Sequence, residues 1–172
     1  MVVSYTIEDT LRRVNRGEIN VRGANIVIDN LTNDVRGCRA RPAVSPQELV
    51  RRLDKLHQKL QAAGSAAIVT CQVKPMQVVD VTPHNELLSN FLRERNAFGC
   101  RTQIRLPFLK DDGFHVRPQY DSTIDMTYAC ALRGVEVPCP TPLGDFVPDH
   151  MRRRWEKEWP RVGRDWMHIH GR

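Results

Sequence analysis

Ser45-Pro46-Gln47-Glu48-Leu49-Val50-Arg51-Arg52-Leu53-Asp54-Lys55-Leu56-His57-Gln58-Lys59-Leu60 runs on to Gly64 and then into Ser65-Ala66-Ala67-Ile68-Val69-Thr70-Cys71-Gln72-Val73. The first half reads as a helix. Ser45 is placed to cap it, Pro46 takes the first helical position, and Glu48 completes a capping box. Leu49, Leu53, Leu56 and Leu60 recur at helical spacing, and Gly64 stops the run. The second half is a short β-branched apolar run of the kind that forms a strand buried on both faces.

The same alternation extends outward in both directions. Upstream, Ala24–Asp29 (Ala-Asn-Ile-Val-Ile-Asp) predicts another buried strand. Before it, Thr6–Arg16 predicts a helix with Ile7, Leu11 and Val14 on one face. Downstream, Thr82 and Pro83 start a helix carrying Leu87, Leu88, Phe91 and Leu92 that stops near Gly99. Arg101–Leu106 alternates like a less buried strand of a sheet edge, and a last helix is predicted over Ser122–Arg133, ended by Gly134. Strands separated by helices predict an α/β domain, with a mostly parallel sheet and helices on both faces as a three-layer sandwich. In such sheets ligands bind outside the carboxyl ends of the strands. The loops Asn30–Ser45, Lys74–Val81 and Pro107–Pro118 are therefore where chemistry is expected.

The chain has 172 residues, 41% hydrophobic and 27% charged, which fits one α/β domain over residues 1–134. Residues 135–148 hold four prolines and read as a linker or strap. Residues 149–172 read as a basic tail rich in Trp and Arg. No apolar run approaches the roughly 20 residues a membrane span needs. The opening reaches acid by Glu8 without a basic or long apolar stretch, so no signal peptide is expected. Five cysteines with no Cys-x-x-Cys spacing read as reduced thiols of an intracellular, cytoplasmic protein.

Net charge is +6 and unevenly spread: residues 1–37 balance, while residues 149–172 carry seven basic residues against four acids. There, Arg152, Arg153, Arg154, Lys157, Arg161 and Arg164 interleave with Trp155, Trp159 and Trp166. Arginines contact phosphates and indoles stack on bases, so this tail is a candidate nucleic-acid surface. The competing reading has the indoles stapling the tail to the core while the arginines solvate it. His150, His168 and His170 lack a fourth ligand at a usual spacing, and no Gly-rich phosphate loop is present. No metal and no cofactor is therefore expected.

Two post-strand loops carry suggestive residues. In Asn30-Leu31-Thr32-Asn33-Asp34, an asparagine amide at a strand's carboxyl end can donate to a developing oxyanion. The plainer reading is an Asx-turn at Asn33 and Asp34. In Lys110-Asp111-Asp112-Gly113-Phe114-His115, an Asp three residues before a His can orient the imidazole as a general base. The plainer reading is a surface histidine in a turn shaped by Gly113.

Together and in this order, the two loops resemble the SGNH (GDSL-type) hydrolases, α/β esterases and acetylhydrolases on a flavodoxin-like sheet. Ile26–Asp34 is similar to that family's block of a strand ending in Gly-x-Asn-Asp, with Leu31 where the block has glycine. Asp112 to His115 is similar to its Asp-x-x-His block. The resemblance covers about residues 4–134 and includes the helix at Asn85–Arg93 and the opening Ser4–Leu11. It implies Asn33 as oxyanion donor, His115 as base and Asp112 as its partner, acting on a small ester or acyl substrate.

The family's nucleophile lies in a Gly-Asp-Ser block, and none occurs here; Gly144-Asp145 is followed by Phe146. The resemblance thus implies a domain truncated at its N-terminus and inactive as a serine esterase. A residual base and oxyanion donor would still help water attack an ester, since triad-deleted hydrolases keep roughly 10³–10⁴-fold over water. Loss of the first two strands would leave Ala24–Asp29 as an apolar sheet edge, a template for pairing with another chain or for self-association. An interaction module, or a basic nucleic-acid-associated module within a larger retroelement-type protein, is the alternative.

Overall fold

The computed structural model describes residues 5–38, 41–100, 102, 104, 106–120, 124 and 128. Helix α1 spans Ile7–Asn15, strand β1 Asn25–Ile28, α2 Leu31–Arg36, α3 Pro46–Ala62, β2 Ala67–Cys71, α4 Thr82–Glu94 and β3 Phe98–Cys100. The fold is mixed α/β, with a small sheet of order β1-β2-β3, parallel throughout. Ile26 lies beside Ile68, Ile28 beside Thr70, and Cys71 beside Cys100.

The helices form for the reasons the sequence gives, with one change. Thr6 Oγ1 accepts from Asp9 N at 3.2 Å and Ser45 Oγ from Glu48 N at 3.2 Å, satisfying an orphan donor at the start of α1 and of α3. The box expected at Ser45 is only half made. The Glu48 carboxylate turns away to Arg51 Nε and Arg52 Nε, both at 2.6 Å, because two charge-assisted bonds outweigh one backbone cap. These arginines hold the Glu48 carboxyl down at about 2.

Three helices end in the same way. Glu18 N reaches Arg13 O, Ser65 N reaches Leu60 O, and Ala97 N reaches Leu92 O, each across a residue of positive φ. That residue is Gly17, Gly64 and Asn96 respectively, which makes all three Schellman closures.

The third closure corrects the expected strand. Helix α4 stops at Glu94, not near Gly99, and Asn96 at φ 49° turns the chain straight into β3. The strand is Phe98-Gly99-Cys100, three residues before the expected Arg101–Leu106. Thr102 and Ile104 are not strand, and Leu106 belongs to a 3₁₀ turn over Leu106–Phe108. A helix capped by Asn and a strand holding Gly leave little pattern to read.

Alternation along the strands sorts the sheet into two faces. Ile28 and Ile68, with Ile26 partly buried, join Ile7, Val14, Leu31, Val35, Leu49, Leu53, Leu56, Leu60, Leu88 and Leu92 in the main core, to which all four helices contribute. Full burial of each leucine contributes about 1.5–3 kcal/mol. The other face is a second cluster of Val69, Cys71 and Cys100 with Val27 and Phe98. Ile124 and Tyr128 are helical, and the rest of the helix expected over Ser122–Arg133 lies outside the described residues. The linker at 135–148 and the tail at 149–172 also lie outside them. Among the described residues, no helix is long and apolar enough to cross a membrane, and β1 pairs with β2 alone.

Candidate active site at the carboxyl rim

All three strands point the same way, so the segments that leave them gather at one rim. Asp29 follows β1, Lys74 follows β2, and the turn at 106–120 follows β3. Lys74 Nζ meets Asp29 Oδ2 at 2.7 Å, and the Tyr128 hydroxyl donates to the same oxygen at 2.6 Å. Thr32 Oγ1, on α2, accepts from Lys74 N at 3.3 Å. The exits of β1 and β2 are thus tied to each other, with Tyr128 on the same carboxylate. None of Asp29, Lys74 or Tyr128 was singled out from sequence; the one signal was an acid and a lysine each just past an apolar strand.

The Asp112–His115 turn is built almost entirely by one carboxylate. Leu109 and Val116 form an antiparallel bridge, and Lys110 N donates to His115 O at 2.7 Å. Inside that loop Asp112 Oδ1 accepts from Phe114 N and His115 N, both at 2.9 Å, while Oδ2 meets His115 Nδ1 at 2.7 Å. The imidazole and the two backbone N–H groups hold the Asp112 carboxyl well below the usual carboxylate range. Binding of the ring through Nδ1 leaves Nε2 as the nitrogen available to take a proton.

Gly113 sits at φ 67°, and a Cβ there would come within 2.7 Å of Gln77 Cβ. Gln77 N donates to Gly113 O at 3.0 Å, which fastens this turn to the loop after β2. On the α2 side, the Arg36 guanidinium lies 4.1 Å from the centre of the Phe114 ring, and Phe114 meets His115 edge-on at 4.9 Å.

Asn33 and Asp34 form no Asx-turn; both lie within α2. Asn33 Nδ2 donates to Tyr5 O at 2.8 Å, leaving its second amide hydrogen for another acceptor. Asp34, nearly fully buried, accepts from Ile7 N at 3.0 Å. Asn33 therefore lies one helical turn before Arg36, on the helix that meets Phe114. It lines a cleft of about 120 Å³ with Thr6, Arg41 and Arg52.

A larger cleft, about 280 Å³, opens at the opposite rim between the ends of α3 and α4. Its imidazole, His57, is buried and bonded through Nε2 to Thr70 Oγ1 at 2.8 Å. The exposed Asp112–His115 pair stands at the carboxyl rim instead.

Arg152, Arg153, Arg154, Lys157, Trp155 and Trp159 lie outside the described residues. Among the described residues no group of three or more His, Cys, Asp or Glu side chains is placed to hold a metal ion. No protein-family model, no curated protein and no solved structure matches the chain.

Proposed function

We propose that this chain is the base-bearing part of an SGNH-like ester hydrolase on a flavodoxin-like sheet. The observation that carries the reading is the 2.7 Å bond from His115 Nδ1 to Asp112 Oδ2, on a loop at the carboxyl rim of a parallel sheet. The order β1-β2-β3 supports it, because that is the order left by the third to fifth strands of a flavodoxin-like sheet.

In this reading His115 Nε2 takes the proton of the attacking oxygen, and Asp112 stabilises the imidazolium that forms. The oxyanion donor that the resemblance implies is the second amide hydrogen of Asn33, whose cleft with Thr6, Arg41 and Arg52 is not lined by His115. Gly-Asp-Ser does not occur in the 172 residues, and this reading takes water as the nucleophile. The edge of β1, unpaired among the described residues, is where a nucleophile-bearing strand, or a second copy, would add.

Hydrolysis of p-nitrophenyl acetate by the 172-residue chain tests this. The expected result is slow turnover without a p-nitrophenol burst, lost in His115→Ala. Turnover unchanged by that substitution, or none above buffer, overturns it.

A further inference from the structure

We propose that Arg36 is the anion-recognising residue of this rim, and that the ester it serves carries a carboxylate or phosphate group. The ester part rests on the hydrolase reading above; the anion site does not. Arg41, Arg52, Arg95 and Arg117 each pair with a carboxylate. Arg36 pairs with none among the described residues, and no protein acceptor there takes its five N–H donors. It is nevertheless positioned from two sides. Its cation rests over the Phe114 ring at 4.1 Å, a contact that orients a guanidinium without consuming its donors. The next residue, Gly37, has φ 64°, and a Cβ there would lie 2.3 Å from Ala43 N, so the returning chain braces the end of α2.

An unpaired guanidinium held in place beside an aromatic face is suited to planar or tetrahedral oxyanions, which it grips through paired donors. Through Phe114 it is also two ring contacts from the His115 imidazole. In the hydrolase reading the water held at Nε2 attacks the ester carbonyl, and Arg36 takes an anionic substituent of the same substrate. A half-ester of a short dicarboxylic acid and an ester of a phosphorylated alcohol both have this form.

The test is an NMR titration of the full chain with phenyl phosphate, phenylacetate and neutral benzyl alcohol, reading the Arg36 side-chain and His115 ring signals. We expect saturable shifts with at least one anion and none with the alcohol. Tighter binding of phenyl phosphate assigns a phosphate, and of phenylacetate a carboxylate. Arg36→Gln weakens binding at least 10-fold and Arg36→Lys restores part of it, while Phe114→Leu weakens it by removing the platform. His115→Ala binds the anion normally, so failure of the hydrolase reading leaves this result standing. Equal affinity in Arg36→Gln, with an unchanged far-UV spectrum, or the absence of saturable binding by either anion, overturns the proposal.

Discussion

Asp34 Oδ2 takes the Ile7 amide N–H at 3.0 Å, so a side chain of α2 caps the first turn of α1. That N–H is one of the donors a helix start leaves without an internal partner. Arg52, on α3, reaches the other carboxylate oxygen at 3.5 Å. One buried carboxylate thereby joins three helices, and burial raises its pKa above 3.8 against the pull of the Ile7 N–H and Arg52.

The sign of that shift sets a pH dependence. The native state holds the Asp34 proton to higher pH than the unfolded chain does, so the contribution of Asp34 falls as pH rises above about 4. Asp34→Asn keeps an acceptor for Ile7 N–H and removes this slope, with little loss at pH 7. Asp34→Ala leaves the N–H unpaired and costs about 1–3 kcal/mol. Urea midpoints of the three proteins at pH 4.5 and 7 check both statements.

His57 works in the opposite direction. Its burial against α4 and the sheet pushes the imidazole down to about 4 from 6.5. The unfolded chain takes up a proton first on acidification, so stability is lost as pH falls from about 6.5 through 4. The full effect is on the order of 3 kcal/mol. His57→Gln flattens this acid limb in urea titrations; an unaltered limb contradicts the assignment.

Glycine substitutions separate strain from collision. Gly17 and Gly23 have positive φ but nothing within 4 Å of an added Cβ, so alanine there costs about 1–2 kcal/mol. Gly37→Ala meets Ala43 backbone as well and costs more than either, about 2–4 kcal/mol. Thermal melts in one buffer rank the three.

Asp112→Asn keeps a side-chain oxygen for the Phe114 and His115 amides while removing the negative partner of the imidazole. The turn is expected to persist, seen as an unchanged Gln77 to Gly113 contact by NMR. The His115-dependent ester hydrolysis falls about 10-fold or more. Loss of the turn together with activity would show Asp112 to be only a structural residue.

The sequence made the scaffold legible where a periodic apolar face coincided with end signals. Ser45, Pro46, the four leucines and Gly64 place α3 to within a residue. Ala24–Asp29 and Ser65–Val73 hold β1 and β2, and their parallel pairing follows from the helix between them. What escaped was short or tertiary. Helix α2 has six residues and follows β1 after two, too short for a periodic apolar face to mark it inside the expected loop Asn30–Ser45. Strand β3 hides behind Gly99, since its burial comes from neighbours such as Cys71 rather than from its own pattern. The Asp112–His115 pair was readable because both partners lie in one turn. Arg36 over Phe114 was not, because 78 residues separate them and cation–π partners leave no spacing signature.

The Schellman closures leave an engineering opening. Two of the three use glycine, while α4 ends on Asn96, which pays a steric penalty for its left-handed backbone. Asn96→Gly would give the third helix the same terminator as its neighbours and yield a hardier scaffold without touching the carboxyl rim.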